Sequence, residues 1–408
     1  MKTIKVYYCG WGERWLLGTL AHSGRDILFE YSAQSLERGL ELSPFRLPLQ
    51  QAAFSGFPAY QDKLPGLIAD ALPDGWGLVA MDRLFRKNNR DPMNVSPLDR
   101  LAFINNRTMG ALVFEPSEPM GMAPADVDLL ELAKGAQLVL AGKDAPVLKQ
   151  LALLGGSPHG ARPKVLVRFD PVQRTVDTSP DADGEPWLVK FQAQSEHKEV
   201  CAIEALYAQL AHESGLDVPP TKYFELDSRL SGFGIKRFDR RGGVRVPTLT
   251  LAGLLDDNFR VPSQDYSNFL RATRALTRDE REVEKAFARC VFNVILNNRD
   301  DHTKNVSFAL NEHFEWKLAP CYDLTFSVGP GGWHQMSVMG EGVAPTGSKL
   351  AELAKDSGLK PAFVNRTIEQ VSDVASQFAV QARNWKIRRP TVVEINRHID
   401  KNLAAMRK

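Results

Sequence analysis

The chain has 408 residues, of which 43% are hydrophobic and 25% charged, and its formal net charge is +2 at pH 7. This composition excludes a disordered or fibrous chain, and the length favours two or three domains over one core. With so small a net charge, any contact with nucleic acid needs a local basic patch or a partner.

The opening "MKTIKVYYCGWG" meets a charge or a glycine too often for a signal peptide. No run approaches the roughly 18 apolar residues of a membrane span, so a cytoplasmic protein without a membrane partner is expected. "TIKVYY" alternates, and "RWLLGTLAHSGRDILFEY" predicts two strands around a Ser-Gly turn. "LPGLIADALPDGWGLVAMDRLFRK" predicts helix, Pro-Asp-Gly break, helix; "TMGALVFEP" predicts a closing strand. "PSEPMGMAPADVD" has the composition of a linker, and residues 126–154 have a helical pattern. A glycine-rich turn, "GGSPHGARPK", then leads into a strand over 164–169. "DPVQRTVDTSPDADGEP" predicts a long polar hairpin loop, and "WLVKFQ" the next strand. Residues 199–214 predict a helix with Ile203, Leu206, Tyr207 and Leu210 on one face; "TKYFEL" and "GFGIKRF" predict two more strands. The remainder is mostly helical. Its clearest apolar stripes are Val283, Phe287, Cys290, Val291 and Val294, and then Val364, Ile368, Val371, Val374 and Phe378.

Between those stripes lies "NNRDDHTKNVSFALNEHFEWKLAPCYDLTFS", a loop and a hairpin ending in Tyr322-Asp323. Asp300 and Asn305 have the D-x-x-x-x-N spacing of a kinase catalytic loop, and Asp323 follows a short hairpin, where kinases carry a second metal carboxylate. Mg²⁺ takes hard oxygen ligands and keeps waters, so one carboxylate, one amide oxygen and phosphates suffice. By chance alone, a polar turn explains the spacing better. His302 lacks a second imidazole nearby, and the four cysteines (Cys9, Cys201, Cys290, Cys321) contain no C-x-x-C pair, so a zinc site or a disulfide framework is not expected. A loop-bracing role suits His302 better. "GGSPHGARPK" suits close approach to phosphate oxygens, although a plain turn is the default; Arg162 and Lys164 add charge. Lys190 stands in an otherwise apolar strand, either snorkelling or pairing with phosphates and a helix glutamate; Glu204 in the next helix is placed to be that partner. Each item is ambiguous alone. The order is informative: glycine loop, strand lysine, helix glutamate, hinge strand, D-x-x-x-x-N, hairpin, aspartate.

On these segments the chain resembles the HipA family of toxin kinases over nearly its whole length. The N-terminal part carries "LLGTL", "FSGFPAYQDKLPGLIADALPDGWG" and "MGALVFEP"; the rest carries "GGSPHGARPK", "WLVKF", "EALYAQLAHESGLDVPP", "KRFDR", "NNRDDHTKN" and "LAPCYDL". The resemblance implies an α+β, bilobal, protein-kinase-like fold. Residues 1–120 would form a small N-terminal α/β subdomain, 121–240 a kinase N-lobe-like region with the glycine loop and hinge, and 241–408 a mainly helical C-terminal lobe. It implies a serine/threonine protein kinase using ATP and Mg²⁺, the toxin of a type II toxin–antitoxin system, acting on a translation-related protein such as an aminoacyl-tRNA synthetase. A HipB-like helix-turn-helix antitoxin would be its partner, with operator DNA reached mainly through that antitoxin. By position, Asp300 would be the catalytic base, and Asn305 and Asp323 the metal ligands. Lys190 would hold the phosphates, with Glu204 as its partner. His159, Gly160, Ala161, Arg162, Pro163 and Lys164 would form the nucleotide loop, and Lys236, Arg237 and Phe238 the hinge against adenine. His302, Thr303, Lys304, Asn305 and Tyr322 would complete the nucleotide wall. Ser157 would be the autophosphorylated residue, where added charge beside the ATP phosphates would expel the loop and silence the enzyme. Pro158 departs from the family pattern and removes one N–H donor; Arg299 restores the Arg-Asp order of ordinary kinases. The alternatives are a small-molecule or lipid kinase, or a pseudokinase that binds an antitoxin. The basic run Arg383, Lys386, Arg388 and Arg389 reads either as a contact to operator phosphates or, preferably, as a helix end with cations near its negative dipole.

Overall fold

The computed structural model describes residues 3–117, 127–155, 158–172, 175–178 and 183–408. The alternating segments at the start become β1 (Thr3–Tyr8), β2 (Trp15–Ser23) and β3 (Asp26–Tyr31). With β4 (Ala53–Phe54) and β5 (Leu112–Glu115) they form one antiparallel sheet in the order β4-β3-β2-β1-β5. Period-two alternation places Ile4, Val6 and Tyr8 on the buried face, as a one-sided sheet requires. Two helices over the predicted stretch, Gly66–Ala69 and Gly75–Lys87, are separated by Pro73. The helix Pro97–Ile104 is announced by its cap rather than by periodicity: Ser96 and Asp99 form a reciprocal capping box.

The helical pattern before the glycine loop is two helices, Leu129–Leu140 and Leu148–Leu154, broken where Gly142 takes a φ of 79°. A second antiparallel sheet follows. It contains β6 (Lys164–Asp170), β7 (Thr175–Asp177), β8 (Glu185–Phe191), β9 (Thr221–Glu225) and β10 (Ser231–Lys236), in the order β7-β6-β8-β10-β9. The expected polar loop between β6 and β8 therefore contains a short strand, β7, paired to β6 from Arg168 to Asp170. The helix Glu199–Glu213 packs on β9 and β10, burying Ile203, Leu206, Tyr207 and Leu210.

The C-terminal lobe is built around the helix Glu280–Ile295. Its stripe residues Val283, Phe287, Cys290, Val291 and Val294 are buried, and it packs on the helices Tyr266–Thr277, Pro361–Ser376 and Arg389–Ala405. Asp279 caps its start by accepting from the Arg281 N–H. Asn297, at φ 56°, ends it in the left-handed conformation that asparagine tolerates. A small sheet of Thr248–Thr250, Ser307–Leu310 and Trp316–Leu318 lies beside it. Of the second stripe, Val364 and Val371 are buried, Ile368 and Val374 half-buried, and Phe378 begins a separate short helix, Phe378–Gln381.

The dipole explanation for the C-terminal basic run needs correction. Arg388 and Arg389 stand at the start of the helix Arg389–Ala405, its positive end. Arg388 is there because the buried carboxylate of Glu199 takes its Nε at 2.9 Å, its backbone N–H at 2.8 Å and the Thr391 hydroxyl at 2.9 Å. Lys386 pairs with Glu225. Both contacts reach back from the entry to the last helix to the lobe carrying the second sheet.

The lobes also meet through Tyr207, whose buried hydroxyl donates to the Leu296 carbonyl at 2.7 Å. Tyr207→Phe leaves that carbonyl without this donor. It is expected to lower the unfolding free energy by about 1–2 kcal/mol in a denaturant melt, with the m-value unchanged.

Candidate functional site: a lysine-lined cleft between the lobes

Antiparallel pairing of β6 with β8 puts Lys164 directly opposite Lys190. Cross-strand partners project from the same face, and two like charges so placed repel. Lys190 is neutralised: its Nζ lies 2.5 Å from Glu204 of the neighbouring helix and also pairs with Asp323. Burial pulls the Lys190 ammonium down, but Asp323 and Glu204 outweigh burial and hold it above the ordinary lysine value. Asp323, against the same burial, is held well below the usual carboxylate range by Lys190 and Lys164. It reaches the cleft because its backbone adopts φ 55°. Lys164 is served less well. Its ammonium donates to the His159 carbonyl, and no carboxylate lies within ion-pair distance among the described residues. Burial pushes it down to about 8, with Asp323 opposing and Lys190 adding to the fall.

The glycine loop is clamped against the first subdomain. Asp74 stands at the N-cap of Gly75–Lys87 but gives its own helix no side-chain bond; its carboxylate accepts the Gly160 N–H at 2.5 Å. The Gly160 carbonyl accepts the Trp76 N–H at 3.1 Å, and the Trp76 indole N–H donates to the Lys164 carbonyl at 3.1 Å. His159 Nε2 lies 3.0 Å from the Leu72 carbonyl, so that nitrogen carries the proton. Burial, with Lys304 nearby, pushes the imidazole down to about 3 and keeps it neutral. Two glycines make this approach possible. A Cβ on Gly75 would meet the Gly160 oxygen at 2.6 Å, and one on Gly160 would meet Lys164 Nζ at 2.5 Å; both residues have positive φ.

Most polar groups of "NNRDDHTKN" brace the loop. Asn297 donates to Ser327 O at 2.9 Å, Asn298 to Asn293 Oδ1 at 3.0 Å, and Arg299 to Asn297 and to Gly332 O. Buried Asp301 accepts from Tyr266 Oη, His334 Nδ1 and the Gln335 N–H, each at 2.8 Å. Thr303 donates to Asp257 at 2.6 Å. His302 tilts against Phe259 at 5.3 Å, with Nε2 3.8 Å from Asp300. The bracing histidine of this loop is His334, which spacing does not reveal because it lies 33 residues from Asp301. Asp300 keeps an exposed carboxylate, 55% accessible. Asn305 donates its amide N–H to the Asp300 carbonyl at 2.7 Å, which turns the amide oxygen the other way.

One cavity runs along this cleft. Its walls include His159, Lys164, Lys190, Lys236, Arg237, Phe238, Lys304, Asn305, Tyr322 and Asp323. Phe238 and Tyr322 stack at 5.7 Å and 26°, and Leu188, Ile235, Met109 and Leu112 give the same end an apolar lining. Tyr322 is fixed by Ser307 at 2.6 Å and by the Lys304 carbonyl at 2.9 Å. Lys236 and Arg237 are paired with Glu185 and Asp239 respectively. Gly160, Ala161, Arg162, Pro163, His302, Thr303 and Asp300 do not line the cavity. Arg162 turns instead to Glu196 at 2.8 Å and Glu204 at 3.4 Å. Ser157 lies outside the described residues. Asp70 and Thr250 also line the cavity and were not expected from sequence; they bond to each other at 2.8 Å across 180 residues. No local signal could have found that pair.

The donor set fits a magnesium–nucleotide. Lys164, opposed by another ammonium and bonded among the described residues only to a neutral carbonyl, is a cation short of negative charge, which a polyphosphate would supply. Asp323 and Asn305 are hard oxygen donors on the same wall. The stacked and apolar end suits a planar base.

The comparisons with known proteins cover both halves. A family model described as the HipA N-terminal domain matches residues 11–115, and one described as the HipA-like C-terminal domain matches residues 156–378. A protein of Sinorhizobium fredii named as a kinase, Y4dM, is 24% identical over 305 residues, 68% of this chain. The match covers 66% of that relative, just under two thirds of its length. The solved HipA of Shewanella oneidensis MR-1, in complex with HipB and operator DNA, is similar in fold, with a TM-score of 0.68 at 17% identity over 98% of this chain and 96% of that one.

The charge arrangement can be tested without any ligand. Lys190→Met leaves Glu204 and Asp323 facing one another without their shared cation. It is expected to destabilise the fold by roughly 3 kcal/mol at pH 7. Without the ammonium, burial outweighs the remaining cation, Lys164, at Asp323 and lifts that carboxyl above its unfolded value. Part of the loss should therefore return as pH falls from 7 to 5, measured by urea melts at each pH.

Proposed function

The chain belongs to the HipA family and has its bilobal kinase-like fold, and from that premise we propose that it is an ATP- and Mg²⁺-dependent kinase transferring phosphate to a serine or threonine hydroxyl. One observation carries the reading: two lysines opposed across β6 and β8 face Asp323 and Asn305 in a single cleft. ATP with Mg²⁺ supplies the transferable phosphoryl group and neutralises its charge. Lys190 and Lys164 hold the phosphates, and Glu204 keeps Lys190 aimed. Asn305 and Asp323 are the residues that would hold the metal. Phe238, Tyr322 and the apolar wall receive the base, with the hinge residues Lys236 and Arg237 beside them. Asp300, with its exposed carboxylate, orients the acceptor hydroxyl and takes its proton. The loop 159–164 closes over the phosphates, and Ser157 is the proposed site of silencing autophosphorylation.

The Shewanella complex of HipA with HipB and operator DNA supports an antitoxin as partner, with operator DNA reached through it, and family resemblance supports a helix-turn-helix antitoxin and a translation-related target. Failure of a neighbouring antitoxin-like gene product to co-purify with the chain would sink the partner assignment. The division into subdomains at about residues 120 and 240 belongs to the same proposal; limited proteolysis that leaves those borders intact and cuts within the segments would overturn it.

Mg-ATP at about a hundredfold over its Kd is expected to stabilise the protein by roughly 2.7 kcal/mol, seen as a higher Tm. Asp323→Asn should abolish the magnesium dependence of that shift. Asp300→Asn should keep it while lowering turnover about 10²- to 10⁴-fold. Labelled ATP should mark Ser157, and the label should vanish in Ser157→Ala. Equal turnover in Asp300→Asn refutes the base assignment.

The pH dependence of nucleotide binding follows from Lys164. In the free protein it titrates near 8, and phosphate beside it raises that value. Binding therefore takes up a proton. Affinity should be fully present below pH 8 and fall as pH rises from 8 toward about 10. Lys164→Met should flatten this slope in calorimetric titrations.

A further inference from the structure

Helix Gly75–Lys87 takes its cap from a distant part of the chain. Aspartate at the N-cap normally accepts an N–H of the helix's first turn. Asp74 stands at that position and makes no such bond. Its Oδ1 accepts the Gly160 N–H instead, across 86 residues. The Gly160 carbonyl in turn accepts the Trp76 N–H, the second N–H of the helix, at 3.1 Å. That is one of the two N–H groups an N-cap side chain ordinarily serves. Helix and loop have therefore exchanged caps, through two bonds of opposite direction to a single residue of the loop. The other carboxylate oxygen of Asp74 lies 3.9 Å from Lys304 Nζ. Lys304 belongs to the turn Thr303–Asn305, beside Asn305. One side chain of the first subdomain thus stands between the loop 159–164 and the loop that carries Asp300 and Asn305.

By charge alone this is a poor place for a carboxylate, because it adds negative charge beside a site for phosphates. The bond to Gly160 gives it a different purpose. Resting on the kinase reading above, we propose that Asp74 is a positioning residue for the nucleotide: it sets the loop 159–164 in its phosphate-binding position before the nucleotide arrives. The same residue makes the loop a two-state element. When the loop leaves, the Asp74 side chain is free to turn back and cap its own helix, so the helix end keeps a partner in either state.

The test uses the full chain. Asp74→Ser keeps a good N-cap residue but is too short to reach Gly160, so the fold should survive with an unchanged Tm. In that variant without nucleotide, amide hydrogen exchange over residues 158–164, read by mass spectrometry, should quicken about tenfold. KM for Mg-ATP should rise about tenfold while kcat at saturation stays the same. Asp74→Asn keeps an oxygen for the Gly160 N–H and should restore both the slow exchange and the low KM. Charge alone gives the opposite sign, since removing the carboxylate in Asp74→Ser would then lower KM. An unchanged exchange rate in Asp74→Ser, or a KM that is unchanged or lower, overturns the proposal. So does unprotected exchange over 158–164 in the unaltered, nucleotide-free chain, a measurement that needs no variant to fold. A chain that neither binds nor turns over Mg-ATP refutes the kinase reading instead, and quickened exchange in Asp74→Ser then supports the cap exchange alone.

Discussion

The buried ammonium of Lys190 is the constraint that the rest of the structure satisfies. A charge that deep in a protein is tolerated only when partners replace its water, and here one partner comes from the next helix and the other from the opposite lobe. Glu204 arrives on a helix whose apolar face is committed to the second sheet, so it cannot move away without exposing Ile203 and Leu206. Asp323 arrives from the other lobe on a residue in left-handed conformation, braced by the neighbouring Tyr322 and its two hydrogen bonds. The triad therefore joins the lobes electrostatically across the cleft.

Lys164 is the complement of that arrangement. The register of β6 on β8 leaves no freedom over where its side chain goes, and the nearby carboxylates are already shared with Lys190. A cation held beside another cation, with only a carbonyl bonded to it among the described residues, is open to a negative partner. This is how binding energy for an anion can be stored in a folded protein before the anion arrives. The neighbouring glycine loop is held by the first subdomain through Asp74, Leu72 and Trp76. One short segment, residues 72–76, thus grips the loop, and the first subdomain is structurally part of the cleft.

The loop after helix Glu280–Ile295 shows why so many polar residues can be buried together. Asn297, Asn298, Arg299, Asp301 and Thr303 turn inward and bond to backbone or side-chain partners around them. That bracing leaves Asp300 outside with an exposed carboxylate and Asn305 on the cleft wall. Apart from Asn298 Oδ1 and His302 Nδ1, which lack a hydrogen-bond partner, the inward polar groups of the loop are held by the bonds they make, and the loop presents these two side chains from a braced frame.

By itself, the sequence determined what periodicity and local chemistry can encode. The three opening strands, the helices with strong apolar stripes and the two-strand hairpin before Tyr322 were all legible, because burial of one face imposes period 2 or 3.6. The order of glycine loop, strand lysine, helix glutamate and D-x-x-x-x-N was legible for the same reason: each sits at a definite place on its element. Lys190 with Glu204 could be paired because strand and helix are consecutive. Tertiary structure alone decided the opposition of Lys164 to Lys190, which depends on strand register, and the grip of Asp74 on Gly160 across 86 residues. It also decided that Arg162 faces Glu196 and that Arg388 begins a helix tethered to Glu199. These are contacts between residues far apart in the chain, set by how whole layers dock, and no local pattern of residue types carries that information.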